Sequence, residues 1–439
     1  MAAKPARAGV ALGLLFAINT LNFYDRHILA IVNEPIRKQY GFSDTQLGWL
    51  GTAFILLYAV IGVPLGRLAD HWNRKTLLSA GLFLWSILTA LSGAAVGFWS
   101  LFLTRLGMGI GEAACAPVSS SLIGDFYPAS RRAWALSIFM LGLPIGAAFS
   151  YLISGAVAHA FGWRATFFVA GIPGCLLALL TLLLLVEPAR GASETVRVGA
   201  RRRSGSPYLL VLSIPTMWWI IASGALHNFN MYALAQFLPS FLIRSHGLDI
   251  RQAGLVSGVL LGAAGGIGLF WGGHLADRLA RKRTNGRMWL GAVCLMGAIP
   301  LQVVALEQPL GHPHAFLLWM LPGCMAMYVY YSTVYATVQD IVEPSLRGTA
   351  MAVYFFAMYA LGGSLGPVLT GRLSDYMASR AAGGAQLTEQ FKAVGLHQAM
   401  YVIPTLEFLV GIVLYAGSRT VTRDHQKLQS WMKSMAVAD

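Results

Sequence analysis

The sequence predicts an all-α membrane protein: twelve transmembrane helices arranged as two six-helix bundles. Three observations lead there. Of 439 residues, 56% are hydrophobic and only 11% charged, with a mean hydropathy of +0.61, a balance foreign to soluble folds of this size. Apolar runs of about 20 residues, the length that crosses a bilayer core, recur along the whole chain. The two halves also repeat. Residues 66–75 read GRLADHWNRK and residues 273–282 read GHLADRLARK, an offset of 207 residues, as expected for two six-span halves in parallel.

Taken in order, the spans fall near residues 9–32, 46–68, 76–96, 98–122, 133–159, 164–186, 213–242, 252–275, 287–306, 314–338, 348–373 and 396–417. The first follows Lys4 and Arg7 but carries Asn19, Asn22, Asp25 and Arg26. With no clear cleavage site it reads as a retained span, not a signal peptide. An Arg-rich stretch, including Arg201, Arg202 and Arg203, separates the sixth span from the seventh. The expected organisation is an N-terminal bundle (1–187), a cytoplasmic linker (188–212), a C-terminal bundle (213–418) and a cytoplasmic tail (419–439). With the N-terminus inside, 22 Lys/Arg fall in cytoplasmic segments and eight in external ones, while Arg26 and Arg105 lie within spans. That bias places both termini in the cytoplasm. It also explains the net charge of +14 without a nucleic-acid partner. Cys115, Cys175, Cys294 and Cys324 lie singly in apolar segments, a pattern that supports neither a disulfide framework nor a metal site. No cofactor is expected, and the chain is expected to be a monomer.

Span 4 carries the densest chemistry. Arg105 and Glu112 stand seven residues apart in RLGMGIGE, two helical turns on one face, about 10 Å along the axis. Gly107, Gly109 and Gly111 between them let a neighbouring helix approach the backbone. An ionisable group at membrane depth costs about 2.5–3.5 kcal/mol on insertion scales. Two on one face therefore point to a proton or substrate site, the plainer alternative being a structural ion pair beside a glycine seam. Asp25 and Arg105 each lie about seven residues from the outer end of their spans, roughly 10 Å deep. An Asp25–Arg105 partnership is thus expected, with Arg26 and Glu112 as second members. A carboxylate beside an arginine stays ionised, and one that loses its partner or its water takes up a proton.

Polar side chains concentrate in spans 1, 4, 7 and 10. Beyond those named, they include Tyr24, His227, Asn228, Tyr232, Tyr328 and Tyr331, and Tyr354 follows in span 11. With Asn22 these are the expected substrate-contacting residues. The N-terminal half brings charge, whereas the C-terminal half brings methionines and aromatics. Such a cavity suits an amphipathic ligand, its head group toward Asp25, Arg26, Arg105 and Glu112 and its tail toward the opposite wall. Glu407 in span 12 is expected to pack or snorkel.

The repeated loop resembles the cytoplasmic loop motif of the major facilitator superfamily. A weaker pair (Asp125, Pro128, Arg131 and Asp340, Pro344, Arg347) follows spans 4 and 10, and residues 371–375 (GRLSD) echo the motif on the other side of the membrane. The resemblance implies a central cavity lined by spans 1, 4, 7 and 10. It also implies a cytoplasmic latch that closes in the outward-open state, with Asp70 and Asp277 capping helices of the opposite half. Arg74, Lys75, Arg278 and Arg281 would hold those carboxylates. A closer resemblance joins NFYDR at 22–26 and the run from Arg105 through GIGEA at 109–113 to IGD at 123–125. It is to spinster-type transporters, and it implies movement of sphingoid or lysophospholipid substrates, with Asp25, Arg26 and Glu112 in coupling. Organic-anion and sugar-acid symporters share a similar span-1 motif, so a proton symporter of that kind, or an uncoupled facilitator, stands as the alternative. Span 5 carries Gly142-x-Pro144-x-Gly146, not the order typical of drug/proton antiporters. No H-E-x-x-H or G-x-x-x-x-G-K-[ST] occurs, and the G-x-S-x-G match at 362–366 (GGSLG) lies inside an apolar span without the strand-to-helix setting of a nucleophile elbow, so neither an enzyme nor an ATP-driven pump is expected.

Overall fold

The computed structural model describes residues 5–190, 206–343 and 346–436; among them the chain is helical throughout and contains no strand. Arg201 to Arg203 of the linker lie outside the described residues, as does the side chain of Asp70. The first six spans are α1 (Pro5–Tyr40), α2 (Asp44–His71), α3 (Arg74–Gly93), α4 with α5 (Phe98–Glu112, Cys115–Phe126), α6 (Ala129–Phe161) and α7 (Trp163–Leu184). A six-residue α8 (Pro207–Leu212) occupies the end of the expected linker. The second half has α9 (Pro215–His246), α10 and α11 (Ile250–Gly258, Ala264–Ala280), α12 (Gly286–Leu306) and α13 (Pro313–Ile341). It ends with α14 and α15 (Arg347–Ala357, Leu365–Ala382), α16 (Glu389–Met400) and α17 (Val402–Ala436).

Among the described residues, eleven helical segments are long and apolar enough to cross a membrane. The twelfth crossing is α9, whose 32 residues include His227, Asn228, Asn230 and Gln236, which lower its hydropathy. Local signals set several ends. Ser43 and Gln46 form a reciprocal capping box at α2, Asp249 and Gln252 another at α10, each satisfying otherwise orphaned amides. Gly247, at φ +67°, closes α9 in a left-handed turn. Three spans are interrupted near mid-depth. Span 4 breaks in a turn just after Glu112, and π-helical turns at Val259–Ala263 and Met358–Gly363 interrupt spans 8 and 11. The tail expected from 419 onward continues span 12 without a break. There Asp424 accepts from the Thr216 amide (2.9 Å) and hydroxyl (2.6 Å), which caps the start of α9.

Within the first bundle α1 packs on α6, α3 on α7 and α2 on α4; within the second, α12 packs on α13 and α17, α11 on α13 and α9 on α17. The bundles meet through α2 against α15, α6 against α10 and α1 against α9. These junctions hold at the face opposite the chain ends. Arg244 grips both carboxylate oxygens of Asp44 at 2.7 Å and donates to Glu34 at 2.7 Å, a bidentate arrangement with strong geometric preference. Arg37 pairs with Glu34 and, across the bundles, with Glu389. Asp375 accepts from the amides of Asp44 (3.0 Å) and Thr45 (2.8 Å) and so caps α2 from the other half. A Cβ on Gly371 would stand 2.2 Å from the Asp44 carbonyl, so only glycine permits this approach. The GRLSD echo thus seats one bundle on the other at the face away from the chain ends.

Candidate functional site

The charged residues of spans 1 and 4 come together, but not in the expected pairs. Arg26 Nε donates to Glu112 Oε2 at 2.9 Å, and Asn22 donates to the same oxygen at 3.0 Å. Asp25 is fully buried; its Oδ2 accepts from Thr89 at 3.3 Å, and its Oδ1 has no partner. Arg105 reaches no carboxylate: it donates to the backbone carbonyls of Asp25 (3.3 Å) and Arg26 (3.4 Å) and to Met108 Sδ (3.8 Å). Equal depth did make contact between spans 1 and 4 feasible. Azimuth decides which side chains meet. Successive residues on a helix point about 100° apart, so Arg26 faces Glu112 while Asp25 turns toward Thr89 of α3. The glycine seam exists as well: a Cβ on Gly109 would fall 2.4 Å from the Phe54 carbonyl, and one on Gly111 2.5 Å from that of Gly81. α4 therefore lies wedged against α2 and α3, which fixes Glu112 in place.

Arg26 occupies an aromatic cage. Its guanidinium lies 4.7 Å from the ring of Phe23, 4.9 Å from Phe54 and 4.6 Å from Tyr58, within cation–π range. Tyr58 stands edge-on to Tyr359 of the opposite bundle at 5.3 Å, and Tyr359 to Tyr232 at 6.1 Å. Phe54, Tyr58 and Tyr359 escaped the sequence reading because each sits in a run of apolar residues. The π-helical turn at Met358–Gly363, which holds Tyr359, leaves no clear mark in the sequence.

Of the other expected substrate contacts, Tyr232 and Tyr331 are partly exposed. The rest are engaged elsewhere. Tyr24 accepts from Ser154 of α6 (3.1 Å), and Asn228 donates to Gly224 O of its own helix (3.3 Å). Tyr328 donates to Leu261 O (2.8 Å) and packs on Gly265 and Gly268, while Tyr354 is buried with its hydroxyl on Tyr330. His227 points into the C-terminal bundle, where its Nδ1 lies 3.5 Å from Glu407. Both are fully buried, so Glu407 does not snorkel.

Among the described latch residues, Arg74, Lys75 and Asp277 bond within their own bundles in this conformation. Arg74, 1% exposed, donates to Glu187 (2.7 Å), Ser121 (2.9 Å) and Pro188 O (3.0 Å) and pairs with Asp125. The Lys75 amide donates to Glu187 (2.8 Å). Asp277 pairs with Arg287 (2.8 Å), which also holds Asp340, and Arg278 and Arg281 are exposed.

Known proteins share this architecture and sequence. The family model of the Major Facilitator Superfamily matches residues 15–367. An MFS-type efflux pump of Mycolicibacterium smegmatis is 30% identical over 94% of this chain and 92% of its own. The sphingosine-1-phosphate transporter SPNS2 of Danio rerio is 27% identical over 97% of this chain and 87% of its own. Among solved structures, a bacterial homologue of the human lysosomal transporter Spinster, inward-facing and unoccupied, superposes with a TM-score of 0.89 at 29% identity, covering 96% of this chain and 99% of that one. Twelve helices in two bundles, a matching family model and spinster-type relatives over nearly the full length converge: the chain belongs to the major facilitator superfamily, as a membrane transporter of the spinster type and not an enzyme.

Proposed function

We propose that the protein is a proton-coupled secondary transporter that carries an amphipathic lipid, a sphingoid or lysophospholipid, by alternating access. It works in the cell or inner membrane, with both termini in the cytoplasm and protons and membrane lipids as its partners. The observation that carries this reading is the Arg26–Glu112 pair, buried at 2.9 Å inside a cage of the first bundle whose Tyr58 meets Tyr359 of the second. In that orientation the tied face is external and the chain is inward-facing, in line with its likeness to an inward-facing solved structure.

The geometry supports a specific sequence of events. Arg26 is the cation that faces the opposite bundle, and Glu112 is its present counter-ion. An anionic lipid head group entering beside Tyr232 and Tyr359 competes for Arg26 and displaces Glu112. A buried carboxylate without its counter-ion is costly, so Glu112 takes up a proton as the head group binds. Asp25, already without an arginine partner, is the second carboxylate able to carry one. Arg105 holds the backbone of Asp25 and Arg26 and so positions both. The boundaries 1–187 and 213–418 describe the two moving bodies, which act as a monomer.

Lipid movement by the purified protein in proteoliposomes tests this reading. Transport of a lysolipid that rises with an imposed pH gradient supports it. Equal transport with and without the gradient selects an uncoupled facilitator, and preference for a sugar acid over every lipid selects the symporter alternative.

A further inference from the structure

A second buried ionisable pair lies in the C-terminal bundle, away from spans 1 and 4. His227 of α9 and Glu407 of α17 are both fully withdrawn from solvent, with Nδ1 and Oε1 3.5 Å apart. That separation is a close approach, not a formed hydrogen bond. Neither imidazole nitrogen has a hydrogen-bond partner, and neither does Glu407 Oε2. Asn230, one turn along α9, donates to Glu407 Oε1 (3.2 Å) and Ile403 O (3.1 Å), which locates the carboxyl group. Tyr330 of α13 stacks on the imidazole at 4.1 Å and 23°. Its hydroxyl is engaged by Ser223 (3.0 Å) and Tyr354 (3.3 Å).

The charges around the pair leave Glu407 no other counter-ion. Cys324 and Tyr330 are the titratable groups of α13 that face it. On α12 the ionisable side chains are Arg287 at one end, held by Asp277 and Asp340, Glu307 just past the other, held by Tyr401, and Cys294 between. Among the described residues no lysine or arginine comes within ion-pair distance of Glu407.

A lone carboxylate in such an interior is strongly disfavoured. The pair is electrically neutral only when the two groups share one proton, as imidazole beside carboxylic acid or as imidazolium beside carboxylate. Either form closes the 3.5 Å gap with a small rotation. Any other proton count buries a net charge. Tyr331, partly exposed and edge-on to His227 at 5.1 Å, is the ring between the pair and the partly exposed inter-bundle side.

We propose that His227 and Glu407, located by Asn230, form a second proton-binding site of this transporter, built entirely within the C-terminal bundle. It joins spans 7 and 12, and through the Tyr330–Tyr354 contact it touches span 11 next to its π-helical turn. The site stands apart from the coupling role proposed for spans 1 and 4. It would bind its proton whether or not that proton drives lipid movement.

The test is infrared difference spectroscopy of the full-length protein in lipid nanodiscs, titrated from about pH 4 to about pH 10, a window spanning ordinary carboxyl and imidazole titrations. An Asp25→Asn/Glu112→Gln background silences the two carboxylates of the central site, and Glu407 is assigned by difference within it. Among the bands that remain, one titrating carboxyl band should disappear on adding Glu407→Gln and change its midpoint on adding His227→Gln, since a close charge partner shifts a carboxyl titration. If Glu407→Gln removes no titrating band from a protein that still melts cooperatively, the proposal is overturned. A band that responds to sodium at constant pH overturns it too, in favour of a metal cation. Should Glu407→Gln fail to fold, nitrogen-15 histidine resonances with and without His227→Gln report the same titration. Absence of a titrating His227 signal would then overturn the assignment.

Discussion

Arg26 and Glu112 are bonded at 2.9 Å with side chains 5% and 0% exposed, yet the same guanidinium also faces Tyr58, and through it the far bundle's Tyr359. One cation therefore serves both as an internal counter-ion and, through Tyr58, as a charge one ring away from the opposite bundle. Removing it should cost more than removing its partner. Arg26→Gln leaves Glu112 buried and unpaired, a loss of about 3–5 kcal/mol, whereas Glu112→Gln leaves the arginine its ring faces. In the double variant the melting temperature should recover most of the Arg26→Gln loss. Thermal unfolding in detergent measures all three, and an additive double variant would mean that the two residues act independently.

The face opposite the chain ends is tied by Asp375, which caps α2 from the other bundle. Asp375→Ala removes a cap worth about 0.5–2 kcal/mol in this conformation only. The population should move toward opening at that face, by up to about tenfold for 1.4 kcal/mol. Distances between spin labels on α2 and α15 would report it, and unchanged distances would mean that Arg244 and Glu389 suffice.

Loops at the opposite face should behave in the reverse sense. Asp277, 64% exposed, pairs with Arg287 in a contact open to solvent on the carboxylate side, worth about 1 kcal/mol. Asp277→Asn should thus leave thermal stability nearly unchanged in the present conformation. If Asp70 and Asp277 latch the closed cytoplasmic face, Asn at either position should shift labelled molecules further toward inward-open. Equal distributions in both variants and the parent would remove the latch from the account.

The tyrosines separate into two groups. Tyr328 packs on Gly265 and Gly268, so Tyr328→Ala opens a cavity between spans 8 and 10 and should cost about 3–5 kcal/mol, as for other buried aromatics. Tyr359→Ala and Tyr232→Ala, at the inter-bundle wall, should instead weaken binding of long-chain lysolipids more than of short-chain ones. Equal losses for both chain lengths would assign Tyr359 and Tyr232 to packing.

What was legible in the sequence follows from what is local. Apolar runs marked the spans, the loop repeat marked the two halves, and the intramembrane charges marked Asp25, Arg26, Arg105 and Glu112, which do cluster. Pairing was not legible, because residues 25 and 26 sit at one depth and differ only in azimuth. Tyr24, His227, Asn228, Tyr328 and Tyr354 point to the cavity by residue type, but residue type does not distinguish a side chain that faces the cavity from one buried inside its own bundle, as all five are here. Asp375 stood out as an echo of the loop motif. Its partners at residues 44 and 45 lie more than 300 residues away, and nothing local points to them.

The central claim is that Glu112 exchanges its arginine for a proton as lipid binds. Lysolipid transport by Glu112→Gln protein in proteoliposomes, with and without an imposed pH gradient, tests it most directly. The gradient response should disappear while lipid binding and exchange between equal pools persist, since a neutral amide mimics the protonated acid throughout. A Glu112→Gln protein that still responds to the gradient as the parent does would contradict it.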